Sequence, residues 1–76
     1  MYKMTQKETK KLQHLTLAEI YAYAEKIGFT ANDVEIDEYE DYFTVAVGDI
    51  LEGHWWWTFE DIEGQAIEFE FEKWIL

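Results

Sequence analysis

Carboxylates dominate the chemistry this 76-residue chain can offer: 17 Asp and Glu stand against 6 Lys, for a net charge of −11. The most regular of them are Glu68, Glu70 and Glu72, which alternate with Ile67, Phe69 and Phe71. Period-two alternation sends such carboxylates to one face of a strand at intervals of about 6.8 Å. Each DNA strand advances one phosphate per about 3.4 Å of axis, so several such strands side by side present negative charge on a scale that a DNA-binding cleft accepts. The plainer account of an isolated EFEFE run is a solvated strand face that discourages edge pairing. Here Glu35, Asp37 and Glu60 fall on the same face in the register derived below, with almost no Lys to balance them.

Other chemistries are poorly supplied. DVEIDEYED, at 33–41, invites a calcium reading, but an EF-hand loop counted from Asp33 needs Gly and Glu where Glu38 and Thr44 stand. His14 and His54 have no Cys partners and no metal-ligand spacing, so neither metal nor cofactor is expected. The chain lacks Cys, Ser, Arg and Pro, which removes thiol and serine nucleophiles, disulfides and the guanidinium fork that grips phosphate. Carboxylate pairs on a solvated face carry no catalytic specificity, and a small domain packed with Trp leaves little room for a concave pocket. An enzyme is not expected.

The charge is unevenly placed. Residues 1–26 hold five Lys against three Glu, whereas residues 27–76 hold Lys73 against fourteen acids. Such a field repels nucleic acid and membranes and attracts basic protein surfaces. No apolar run is long enough for a signal peptide or a membrane span, so a cytoplasmic location is expected.

The elements that must position these groups are readable from period and punctuation. Residues 1–14 are polar, with no apolar stripe, and read as a flexible basic arm without caps. Residues 15–76 read as a single domain. Its helix, 17–27, starts at the capping box Thr16/Glu19, with Leu15 and Ile20 placed as a hydrophobic staple, and stops at Gly28-Phe29. Four strands follow near 34–39, 42–50, 54–60 and 66–74, where apolar and polar residues alternate.

Leu51-Glu52-Gly53 and Ile62-Glu63-Gly64 each fit a three-residue hairpin loop ending in a left-handed residue, and Glu40-Asp41 fits a tight turn. Centring the last hairpin on Glu63 pairs Phe59 with Ile67, Trp57 with Phe69, Trp55 with Phe71 and His54 with Glu72. Centring the middle one on Glu52 pairs Val47 with Trp57, Val45 with Phe59 and Gly48 with Trp56. The first turn sets Val34 by Val47 and Ile36 by Val45. One face then collects Phe43, Val45, Val47, Trp55, Trp57, Phe59, Ile67, Phe69 and Phe71 under the helix.

Fourteen of the 76 residues are aromatic, yet one helix covers one sheet face only. Trp56, between two core tryptophans, must point the other way. There it either covers the bare backbone of Gly48 or serves as an aromatic anchor for a partner, with Tyr39, Tyr42 and Trp74 on the same side. The expected fold is α+β, one N-terminal helix packed on one face of a four-stranded antiparallel meander. The expected function is that of a small acidic binding protein blocking a basic, nucleic-acid-binding surface of another protein by DNA mimicry. Its partner-binding residues are Trp56, Glu35, Asp37, Tyr42, Glu60, Glu68, Glu70 and Glu72. The alternative is a structural homo-oligomer assembled through the exposed face or an edge strand. In size and charge the chain resembles the acidic DNA-mimic inhibitors of phages and mobile elements, such as uracil-DNA glycosylase inhibitors, anti-restriction proteins and anti-CRISPR proteins; no residue role is carried over from them.

Overall fold

A computed structural model describes residues 4–74. Helices α1 (Gln6–Leu12) and α2 (Leu17–Lys26) and a 3-10 turn (Ala31–Asp33) precede strands β1 (Val34–Glu38), β2 (Phe43–Asp49), β3 (Gly53–Phe59) and β4 (Glu68–Glu72). The strands form one antiparallel sheet in the order β1-β2-β3-β4, so the fold is an α+β meander. Among the described residues no helix is long and apolar enough to cross a membrane.

Helix α2 forms where its punctuation dictates. The Glu19 N–H donates to Thr16 Oγ1 at 3.2 Å and the Thr16 N–H to Glu19 Oε1 at 3.0 Å, satisfying two backbone donors that the first turn otherwise leaves orphaned. At the other end the Phe29 N–H reaches Ala24 O at 2.9 Å and the Gly28 N–H reaches Glu25 O at 3.1 Å, a Schellman stop that needs the positive φ of Gly28 (+99°). The buried face of α2, Ile20 and Ala24, packs on Val45, Val47, Trp57 and Phe59 of the two central strands, with Ala66 completing the core. Tyr23 meets Trp55 and Trp57 edge-on, at centroid distances of 6.2 and 6.4 Å.

The expectation that residues 1–14 lack a cap is corrected. Thr5 and Glu8 form the same capping box as Thr16 and Glu19, and α1 follows from it. Residues 1–3, with Lys3, lie outside the described residues. As the sequence implies, α1 buries no residue of its own. Its C-terminal end is instead held by a side chain from the sheet: the Trp57 Nε1–H donates to Leu12 O at 2.7 Å. Beyond it, His14 Nδ1 lies 2.9 Å from Ala66 O; since a carbonyl only accepts, Nδ1 carries the proton.

The register agrees with expectation at the outer pairs and not at the middle one. Val34 faces Val47, Ile36 faces Val45, Trp57 faces Phe69, Trp55 faces Phe71 and His54 faces Glu72. Between β2 and β3, however, Val45 pairs with Trp57, Val47 with Trp55 and Phe43 with Phe59. The hairpin is therefore centred on Leu51, two residues away from the expected pairing. Asp49 Oδ1 accepts the Glu52 N–H at 2.7 Å and closes the loop there. Behind it the backbones of Gly48 and Gly53 approach so closely that a Cβ on Gly48 would lie 2.1 Å from Gly53 O. A slip of two leaves every side chain on its expected face, which is why the core survives it.

The last connection also departs from expectation. Gly64 is not left-handed, and β4 begins at Glu68 rather than at residue 66. The Ala66 N–H donates to Leu15 O at 2.9 Å, and Thr16 bridges Gln65. This detour toward the start of α2 buries Ala66 and leaves Ile67, expected in the core, 44% exposed.

Candidate partner-binding surface

The sheet face away from α2 is built by alternation. Three cross-strand rows run across it: Asp37, Thr44, Thr58, Glu68; then Glu35, Ala46, Trp56, Glu70; then Gly48, His54, Glu72. Strand order gives these rows a consistent profile. The acids sit on the outer strands β1 and β4, and Thr44, Ala46, Gly48, His54, Trp56 and Thr58 floor the middle. With strands about 4.8 Å apart, the two acidic edges are separated by roughly 14 Å, and within an edge the carboxylates recur every ~6.8 Å.

Of the eight residues expected to bind a partner, Glu35, Asp37, Trp56, Glu68, Glu70 and Glu72 share this face. The carboxylates are exposed except Glu72, which is half-buried. Tyr42 and Glu60 lie at its end instead. Tyr42 stacks on Tyr39 at 4.8 Å beside the β1–β2 turn. Glu60 follows β3 and lines a hollow there with Tyr42, Phe43 and Ile62.

Two expectations about Trp56 are corrected. It stands opposite Ala46 and Glu70, not Gly48, and it is half-buried rather than bare. The His54 ring lies against it at 4.7 Å, and a shallow cleft beside it is lined by Met4, Thr9 and the β4 residues 69–72. The indole that closes over the glycine pair is Trp55, from the opposite face: its ring lies 3.3 Å from where a Gly48 Cβ would be. Trp55 also packs on Phe71 at 4.9 Å and Phe29 at 6.1 Å.

The indole N–H of Trp55 is buried and meets no acceptor at hydrogen-bonding geometry. It nevertheless acts on the nearby phenol of Tyr23. Burial pushes the Tyr23 pKa up from its ordinary value and the Glu8 carboxylate adds to the rise, while the Trp55 N–H pulls it partly back.

Chemically the face accepts hydrogen bonds and attracts cations. Its Trp56 ring offers a cation–π platform to a Lys or Arg held between the two acidic edges. Among the described residues no group of three or more His, Asp or Glu is arranged to hold a metal ion. What sequence reasoning missed was the division of the acids between two edges and the anchoring of α1; the Thr5-x-x-Glu8 cap was the available signal for the helix. No protein-family model, curated protein or solved structure matches the chain.

Proposed function

We propose that this protein is an acidic inhibitor that occupies a basic, nucleic-acid-binding surface of another protein by presenting charge as a duplex does. The observation that carries the reading is the row Glu35, Ala46, Trp56, Glu70, with carboxylates at both ends and an aromatic ring between them. The roughly 14 Å between the acidic edges is comparable with the ~12 Å width of a B-DNA major groove. Lys and Arg side chains spaced to meet phosphates on either side of that groove would meet carboxylates here, and the half-buried indole would supply apolar contact at the centre. Such an inhibitor would act in the cytoplasm, as the anti-defence proteins of phages and mobile elements do.

A structural homo-oligomer is the second reading. It draws on Ile50, Leu51 and Trp74, exposed together where the Trp74 N–H meets Ile50 O at 2.7 Å. Affinity capture followed by competition distinguishes the two. The inhibitor reading expects a captured nucleic-acid-binding protein whose duplex DNA and this protein displace each other. It fails if DNA and this protein bind the captured partner together, or if the protein forms a salt-resistant oligomer that buries Trp74 and captures nothing.

A further inference from the structure

Strand order leaves β1 at one edge of the sheet, and its hydrogen-bonding row can be assigned. The Tyr39 N–H donates to Tyr42 O at 2.8 Å, so that pair is a hydrogen-bonded one. Antiparallel pairs alternate, which makes Asp37–Thr44 and Glu35–Ala46 bonded pairs too and turns the N–H and C=O of Ile36 and Glu38 outward. The Val34 N–H is already used by Ala31 O. The β4 edge is different, because Met4 and Thr9 flank it across the cleft beside Trp56.

From this we infer that the β1 edge receives a strand from a partner protein, and that the strand alternates basic and apolar residues. Three features select that occupant. Ile36 and Glu38 supply two backbone donors and two acceptors in line, the template for strand addition. On one side of the edge, Glu35 and Asp37 are both exposed and call for Lys or Arg beside them. On the other side Ile36, although on the core face, is 39% exposed because α2 sits over the central strands, and it calls for an apolar neighbour. A second copy is a poor occupant: antiparallel pairing about Ile36 would set Glu35 against the other copy's Asp37, like charges directly opposed. The edge shares Glu35 and Asp37 with the acidic face, but what sets it apart is the outward backbone of Ile36 and Glu38, so the inference stands whether or not that face docks on a nucleic-acid-binding protein.

The test uses the full chain and a short synthetic peptide of alternating lysine and valine. At a peptide concentration about ten times its Kd, amide exchange at Ile36 and Glu38 should slow about tenfold, and the same peptide N-methylated at alternate amides should lose that effect. Ile36→Pro removes an outward N–H together with the Ile36 side chain and should weaken peptide binding at least tenfold while the sheet persists, and Ile36→Val, which keeps the N–H, should bind nearly as the parent; should the proline variant not fold, the N-methylated peptide against the unaltered protein decides alone. The inference is overturned if the N-methylated peptide binds as well as the parent, or if peptide-induced shifts are confined to Trp56, Glu68 and Glu70. It is equally overturned if Ile36 and Glu38 become protected on raising protein concentration without peptide.

Discussion

The indole N–H of Trp57 donates a 2.7 Å hydrogen bond to the carbonyl of Leu12, joining the centre of the sheet to the last residue of α1. That carbonyl is one of the four that a helix end leaves unpaired, and the donor belongs to a fully buried ring, so each satisfies the other's need.

Deleting residues 1–14 therefore removes the acceptor of a buried N–H, and with it the His14–Ala66 bond. The expected loss is about 1 to 3 kcal/mol, and the melting temperature should fall by roughly 4 to 8 °C per kcal/mol for a domain of this size. A circular dichroism melt checks this, and an unchanged midpoint would show that the bond contributes nothing to stability.

The neighbouring tryptophans should behave unequally. Trp57, with no exposed surface, should cost about 3 to 5 kcal/mol on truncation to Ala. Trp56→Ala, half-buried and over Ala46, should cost nearer ~1 kcal/mol. If the two variants melt alike, the outer face is as buried as the inner one and the docking surface proposed on it does not exist.

Reversing charge at Glu68 and Glu70 to Lys leaves no buried contact unmade, so the melt should barely move. Binding to a basic partner should fall, mainly through a slower association rate, and the deficit should shrink as salt is raised toward about 1 M, where the Debye length is only ~3 Å. Stopped-flow association across a salt series reads this directly; a deficit independent of salt would mean the two carboxylates act by shape and not by charge.

Two glycines make a control pair. Gly48 has φ +86° and no room for a Cβ, so Gly48→Ala should cost ~2 kcal/mol or more. At Gly64 the nearest atom to an added Cβ is 3.5 Å away and φ is ordinary, so Gly64→Ala should lie within about 1 kcal/mol of neutral. Urea midpoints for both variants check the contrast.

The Tyr23 phenol supplies a pH dependence. Its pKa in the fold is raised above the ordinary 10.0, chiefly by burial, so on alkalinisation the unfolded chain releases the proton first. Stability is then unaffected below that value and is lost as pH climbs through it toward the folded pKa. The comparison that isolates this group is with Tyr23→Phe: between about pH 9 and about pH 11 its melting temperature should decline less steeply than that of the unaltered protein. Parallel declines would remove Tyr23 as the cause.

What could be read from the sequence was whatever is encoded locally. Thr16, Glu19 and Gly28 fix both ends of α2 within a few residues, and the Glu40-Asp41 turn sets β1 against β2 without remote information. The β2–β3 register was not recoverable from hydrophobic pattern, because a shift of two residues preserves both faces; the Asp49–Glu52 contact decided it. Ile67 left the core because Leu15, distant in sequence, claims the Ala66 N–H. Helix α1 carries a legible cap, but its anchor is a backbone carbonyl, and no side-chain pattern marks one. The acids of the candidate face were legible as alternation, whereas their separation into two edges required the strand order.

That order also governs how the chain reaches its fold. Every strand pairs with its neighbour in sequence, so each hairpin can zip outward from its own turn, an event on the scale of about 1 to 10 μs. Closures that span the chain come from the segment ahead of the strands: Leu12 with Trp57, His14 with Ala66 and Leu15 with Ala66 by hydrogen bonds, and Ile20, Ala24 and Tyr23 of α2 by packing on the central strands. Their loop entropy is overcome only once a sheet exists to receive them. The expected kinetic picture is a sheet that assembles early and a helical segment that clasps it afterwards. In a stopped-flow experiment, quenching or burial of the Trp57 indole would then trail the growth of strand signal, and simultaneous appearance of the two would indicate that helices and sheet condense together.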